Sequence, residues 1–272
     1  MQLPGGLFMD GERRRDFSFR PINGELELKL RETAAADLSH PQKISIILQQ
    51  ALAGLGQQDA TPDRVWQLSV GDRQFLLRQL GIAIDDSPLW LSSRCVDCGE
   101  LFEINIRQSE LPVKECGSEY PETQVTLSVG PVSVRVPDGN IQEQLARETD
   151  DRHAMLLLLA ATVTTLPGQA VNVEKLSAQD ITQIEATMEA LSPEVSMVAV
   201  TDCPHCERRN QIRLSPYYCM QQPSEELYTE IHNLAMSYHW SEASILAMPR
   251  ERRKSYLRLL DKSRGMQIDA GE

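Results

Sequence analysis

The spacing of apolar and polar positions divides the chain into stretches of different period. Near the start, Asp16-Phe-Ser-Phe-Arg20 alternates and Pro21-Ile-Asn-Gly24 turns, which predicts a short extended lead-in over residues 1 to about 30. A helix is expected to follow as far as Ala36. Ser39-His-Pro41 reads as a helix start, with Ser39 near the cap and Pro41 in the first turn. Ile44, Ile47, Leu48, Ala51, Leu52 and Leu55 then fall on one stripe at helical spacing, ended by Gly54 and Gly56. Thr61-Pro62-Asp63 is another cap-and-start signal, and Leu68 to Leu80 gives a helix stopped at Gly81. Residues 1–87 are thus expected to be a small, mainly helical unit.

A different pattern begins at Trp90 and occurs twice. Trp90-Leu-Ser-Ser-Arg-Cys95-Val-Asp-Cys98-Gly-Glu-Leu-Phe-Glu-Ile104-Asn-Ile106 is echoed 108 residues later by Val198-Ala-Val-Thr-Asp-Cys203-Pro-His-Cys206-Glu-Arg-Arg-Asn-Gln-Ile212-Arg-Leu214. In both copies an apolar run enters a Cys-x-x-Cys turn and an alternating stretch leaves it. Each copy therefore predicts a hairpin with its cysteines at the tip, over residues 88–110 and 196–215.

Between them, residues 111–195 carry elements of their own. Gln124 to Val129 and Val132 to Val136 alternate on either side of Gly130-Pro131, a hairpin signal. Pro137 to Asn140 turns into helical sequence. Asp150 and Asp151 cap an apolar helix running through Met155 to Val163, Leu166-Pro-Gly168 is a loop, and Ser177 caps a helix with Ile181, Ile184, Met188 and Leu191 inward. Ser192-Pro193 ends it. In residues 216–272, Pro216 and Pro223 mark a linker. Ser224-Glu-Glu opens a helix with Leu227, Ile231, Leu234 and Tyr238 on one face. Ser241 caps a short helix, and Pro249 starts a basic one carrying Tyr256, Leu257 and Leu260, before a frayed end with Gly265 and Gly271. The fold class is α+β: a helical N-terminal unit, a discontinuous ribbon of two hairpins carrying an inserted hairpin plus helices, and a C-terminal helical hook.

Charge narrows the function. The chain carries a formal −12, which leaves no nucleic-acid footprint for the whole molecule. Its sign is uneven, because residues 250–264 hold seven Lys/Arg against Glu251 and Asp261, a local +5. Such a run is either a solvated helix face or a docking surface. Arg13, Arg14 and Arg15 form a smaller basic cluster. The longest strongly apolar stretch, Ala154 to Val163, is ten residues, about half of what a bilayer-spanning helix needs. The N-terminus lacks a signal-peptide pattern, so a reducing cytoplasm is the expected compartment. Cys116 and Cys219 lie outside the pairs and are given no role.

Four thiolates on two facing turns suit a closed tetrahedral zinc site, with Cys95, Cys98, Cys203 and Cys206 as ligands and one structural Zn²⁺ per chain. The long separation of the pairs is a small obstacle, since closing a longer loop costs only a logarithm of its length. Two other readings stay open. In one, the turns serve simply as paired knuckles without metal. Alternatively, Cys203-Pro-His-Cys206 matches the tetrapeptide of strongly oxidising thiol–disulfide enzymes, in which the first cysteine sits at a helix N-terminus. Here the following residues alternate like a strand instead. His205 is expected to face solvent, because four cysteines already complete a tetrahedron. No phosphate loop or nucleophile elbow is present, which points away from an enzyme.

The densest motif is C-terminal: Ile231-His-Asn-Leu-Ala-Met-Ser-Tyr238-His239-Trp240-Ser241-Glu242, followed by Pro249-Arg-Glu-Arg252-Arg253-Lys-Ser-Tyr256. Its aromatics suit an αα-corner, and its exposed groups a hook offered to a partner. This run resembles the end of the baseplate hub assembly protein family of T-even-type contractile phages and contractile injection systems. Leu68-Ser-Val-Gly-Asp-Arg-Gln-Phe-Leu-Leu and the cysteine knuckles are similar to longer members of that family, while residues 111–195 match only in outline. The resemblance implies a non-enzymatic assembly factor or minor structural component of a contractile-tail hub. It would act in the producing cell's cytoplasm and could be retained in the particle, meeting hub, spike or tube proteins through Tyr238, His239, Trp240, Arg252, Arg253 and Tyr256. A zinc-ribbon adaptor in an unrelated complex is the alternative, with thiol–disulfide exchange behind it.

Overall fold

The computed structural model describes residues 1–166, 168–214, 224–263 and 265. Pro167, the linker prolines Pro216 and Pro223, Cys219 and the chain end with Gly271 lie outside them.

The N-terminal unit carries the expected helices, and adds to them a sheet where the sequence suggested only a short extended lead-in. Strands β1 (Gln2–Met9), β2 (Glu12–Phe19), β3 (Leu52–Leu55) and β4 (Gln58–Asp59) lie in that order as one antiparallel meander. Helices α1 (Gly24–Ala35), α2 (His40–Ala51), α3 (Pro62–Gln67) and α4 (Val70–Ile84) pack with it. Ser39 and Gln42 form a reciprocal capping box at the start of α2, as the sequence predicted for Ser39. The apolar stripe then changes conformation. Leu48 and Ala51 end the helix, whereas Leu52 and Leu55 continue as a strand, and all four are fully buried. A stripe at positions 48, 51, 52 and 55 fits a helix face, but its last two members can equally sit at the ends of a four-residue strand. Likewise α4 continues past Gly81 to Ile84.

A bulge in β1 explains the early arginines. Pairing with β2 is irregular between Gln2 and Leu7, which leaves backbone groups of Leu3 to Gly6 outside the ladder. Each needs a partner once buried. The Gly5 and Gly6 amides donate to the carboxylate of Asp72 on α4 at 2.7 and 2.9 Å. Arg13 Nε donates to the Gly5 carbonyl at 2.6 Å and Arg15 Nε to that of Leu3 at 2.5 Å. The hydroxyl of Tyr120 donates to the Gly6 carbonyl at 3.0 Å. Gly5 is required by space, because a Cβ there would stand 2.4 Å from Asp72 Oδ2. Asp72 is completely buried, and that burial raises its pKa despite hydrogen bonds from Gly6, Gly5, Ser69 and Tyr120 that pull the other way.

The two cysteine units fold as the hairpins expected, β5 (Leu89–Arg94) with β6 (Leu101–Ile106), and later β12 with β13. The segment between them leaves through β7 (Val113–Lys114), continues as hairpin β8 (Glu122–Leu127)–β9 (Gly130–Arg135), and runs through α5 (Gly139–Leu145) and α6 (Asp151–Thr162). It then follows β10 (Val163–Thr165) and α7 (Ala178–Leu191) to return through β11 (Glu194–Val195). Val163, expected at the end of a helix, instead begins a strand on the free edge of β9. Val132, Val134, Leu159, Val163 and Ile184 make the local core. Asp180 pins α7 to the β8–β9 turn, accepting the amide and hydroxyl of Ser128 and those of the cap residue Ser177. These bonds, Ser128 first, hold its carboxyl well below the usual range.

The neck of the insertion is closed by backbone. β7 pairs antiparallel with β11, Val113 opposite Val195, and the Ser196 amide adds a bond to the Pro112 carbonyl at 3.0 Å. The second hairpin, β12 (Val198–Asp202) and β13 (Arg209–Arg213), follows at once. The last described helices, α8 (Ser224–Tyr238), α9 (Glu242–Leu246) and α10 (Arg250–Ser263), make up the hook segment. Leu227, Ile231, Leu234, Ile245 and Leu246 are buried there, with Leu28 of α1 packed against them.

Candidate metal centre

The two Cys-x-x-Cys turns have the same construction. In the first, the Cys95 amide donates to the Glu100 carbonyl at 2.9 Å and the Gly99 amide to the Cys95 carbonyl at 3.1 Å. In the second, the Cys203 amide donates to the Arg208 carbonyl and the Glu207 amide to the Cys203 carbonyl, both at 2.9 Å. The residue after the second cysteine has positive φ in both, +75° at Gly99 and +59° at Glu207. Glycine takes that conformation freely; Glu207 takes it with strain that the knuckle holds in place. An amide also points at the leading sulfur of each turn, Asp97 to Cys95 Sγ at 3.5 Å and His205 to Cys203 Sγ at 3.4 Å.

The inner faces of the hairpins meet in one small core of Leu89, Phe102, Leu111, Ala199, Ile212 and Leu214, with Ile104 and Ile106 against it. That packing brings the tips together. All four sulfurs lie within 4.8 Å of one another, with Cys95 and Cys206 at 3.6 Å and Cys98 and Cys203 at 3.8 Å. A metal–sulfur bond of about 2.3 Å in a tetrahedron puts the sulfurs about 3.8 Å apart. A disulfide needs about 2.05 Å, and all of these cysteines are free thiols. The donor set therefore fits one metal ion, with Cys95 and Cys203 on the buried side and Cys98 towards solvent.

The electrostatics of the thiols agree. Hydrogen bonds from the Cys98 and Asp97 amides, helped by Asn210, bring Cys95 down to about 6. Cys206 is pushed up to about 12, since the Arg208 amide lowers it but burial and the sulfurs of Cys98, Cys95 and Cys203 outweigh that bond. Cys98 is also raised, against the pull of the Glu100 amide, by burial and by its sulfur neighbours. Sulfurs this close do not all ionise without a cation among them, and a bound metal ion reverses that balance. Cys203 stands between two strands and not at a helix N-terminus. His205 is exposed and outside the sulfur cluster, as expected.

Sequence reasoning missed Asn210, which is buried between the hairpins. Its Oδ1 accepts the Val96 amide at 3.1 Å, and its Nδ2 donates to the Arg208 carbonyl at 2.6 Å and lies 3.6 Å from Cys95 Sγ. The available signal was a break in the repeat, because the position matching Asn210 in the first copy is the apolar Phe102.

The residues expected to meet a partner divide differently. Tyr238 stacks on Trp240 at 4.6 Å, and Tyr256 meets both edge-on at 5.5 and 4.8 Å, so these rings hold α8 against α10. His239 is exposed in a left-handed conformation, φ +55°, where α8 ends. Arg252 is exposed and lies over the Tyr256 ring. Arg253 corrects the expectation. It is fully buried, donating to Glu27 at 2.7 Å, Glu230 at 2.9 Å and the Met248 carbonyl at 2.8 Å. Arg250 lies 3.6 Å from Glu27 and 3.4 Å from Asp85, and Lys254 binds Asp85 at 2.8 Å. Three cations of the basic run thus fasten the hook to α1 and the end of α4, while Arg252, Arg258 and Lys262 face outward.

Comparison of the chain with protein-family models, with curated proteins and with solved structures gives no match. Among the described residues, no helix is long and apolar enough to cross a membrane.

Proposed function

We propose that this chain is a non-enzymatic assembly factor or minor structural component of a contractile-tail baseplate hub, held by a structural zinc ion at Cys95, Cys98, Cys203 and Cys206. The observation that carries the structural role is the closed set of four sulfurs. A tetrahedron filled by protein leaves no position for water or substrate, the arrangement of zinc sites that build structure. The hub assignment rests on the C-terminal run from Ile231 to Tyr256 and its resemblance to the hub assembly family. The outward cations Arg252, Arg258 and Lys262, on an otherwise acidic chain, suit docking by charge complementarity.

One observation favours the second reading, a zinc-ribbon adaptor in another complex. Trp90 on the outer face of β5 is 68% exposed and Val200 on β12 is 51% exposed, so the ribbon itself offers apolar anchors. Metal analysis with alkylation tests the ribbon: one zinc per chain with the four cysteines protected supports it, and a metal-free chain whose four thiols alkylate freely counts against it. Pull-down with purified hub, spike and tube proteins tests the partner. Binding that weakens with salt and with Arg252→Glu supports the hub reading; salt-insensitive binding, or none, counts against it.

A further inference from the structure

We infer that Asn210 is the positioning residue of the metal centre, fixing the first knuckle for metal from the second hairpin; this rests on the metal reading above. The two knuckles share their backbone bonds and their amide-to-sulfur contacts, so each could form alone. At one matched position the difference reaches across the hairpins. Phe102 of β6 contributes only packing, whereas Asn210 of β13 reaches across to the other knuckle.

The orientation of its amide follows from its neighbours. The Val96 N–H can only donate, so the Asn210 atom facing it is the oxygen, and the Arg208 carbonyl can only accept, so the other is the nitrogen. The nitrogen's remaining hydrogen is then aimed at Cys95 Sγ. One buried side chain therefore fixes the backbone between Cys95 and Cys98 and also donates to a ligand sulfur. A hydrogen bond to a thiolate disperses its charge and holds its lone pairs in one direction, which pre-organises the site. Cys203 receives no side-chain bond of this kind among the described residues, so the cross-hairpin restraint acts on one knuckle only.

The test uses the full-length chain and two probe ions. Zinc affinity is measured by competition with a chromophoric chelator, and the ligand set by the thiolate charge-transfer bands of the cobalt(II) form. Asn210→Ala is expected to weaken zinc binding roughly 10- to 100-fold, the range for lost outer partners of metal ligands, while the cobalt spectrum still reports four sulfurs. Asn210→Asp keeps an acceptor for Val96 but removes the donor and adds a charge beside the thiolates, so its loss should be larger. Gln211→Ala, on the exposed face of β13, should match the parent. Affinity of Asn210→Ala or Asn210→Asp within twofold of the parent overturns the inference. Should Asn210→Ala fail to fold, Asn210→Asp, of the same shape, decides alone. A parent chain that shows no thiolate bands with cobalt and no competition for zinc removes the metal reading itself, whatever the variants do.

Discussion

The ribbon and the hook both fasten parts of the chain far apart in sequence, by opposite physics. The ribbon brings together turns 108 residues apart through four soft ligands over a small apolar core. The hook joins Arg253 to Glu27 across 226 positions through buried charges. A metal clasp binds strongly but depends on a cation and on thiolates staying reduced. A buried ion-pair clasp contributes little net free energy over an apolar equivalent, because desolvation offsets attraction, yet it is costly to break on one side. On the proposed reading the ribbon is the part that should respond to metal, and the hook the part that should respond to loss of a charge.

The largest expected effect is on the ribbon. Cys98→Ser, or a strong chelator, should loosen β5–β6 and β12–β13 and leave the hook intact. The β7–β11 neck keeps the insertion closed, so hydrogen exchange should rise in the two hairpins and not in β8–β9. Equal exchange in the hairpins before and after chelation would remove the metal from the comparison. Next comes the hook: Arg253→Met leaves Glu27 buried without its main partner and should cost about 3–5 kcal/mol in denaturant unfolding. Replacing both, Arg253→Met with Glu27→Leu, should recover most of that loss; an additive loss would mean that the charges stabilise the fold as well as specify it.

The smallest effect concerns acid. Burial acts to raise the Asp85 carboxyl, but Lys254 and Ser87 outweigh it and hold the group at about 2. A depressed pKa contributes stability above the unfolded value of about 3.9 and loses it as pH falls towards about 2. The hook should therefore loosen on the acid side of about pH 4, and Lys254→Ala should flatten that dependence. Both groups are partly exposed, so salt should shrink the effect. A hook whose acid unfolding is the same with Lys254→Ala would show that Ser87 and Arg250 hold Asp85 without it.

Much of this arrangement is legible in the sequence where the signal is local. Ser39, Ser177 and Ser241 cap the helices they precede because a cap needs only its own next three residues. The Gly130 turn sets the β8–β9 register, and the repeated cysteines mark both knuckles. The strands β1 and β2 are less legible. Gly5-Gly6 and the three arginines weaken the strand pattern, and what supports them is Asp72 and Tyr120, 67 and 114 residues distant. The basic run shows the same limit, since composition counts Arg253 as a surface charge while Glu27 and Glu230 take it inside.

Local sequence is enough for the caps, the hairpin turns and two pairs of sulfurs of the right chemistry. Those depend on interactions within a few residues. Tertiary packing makes the sulfurs converge, carries Asn210 from one hairpin to the other and turns Arg253 inward. Each of these joins groups separated by a hundred residues or more, and such pairings depend on how the cores pack, which no local period encodes.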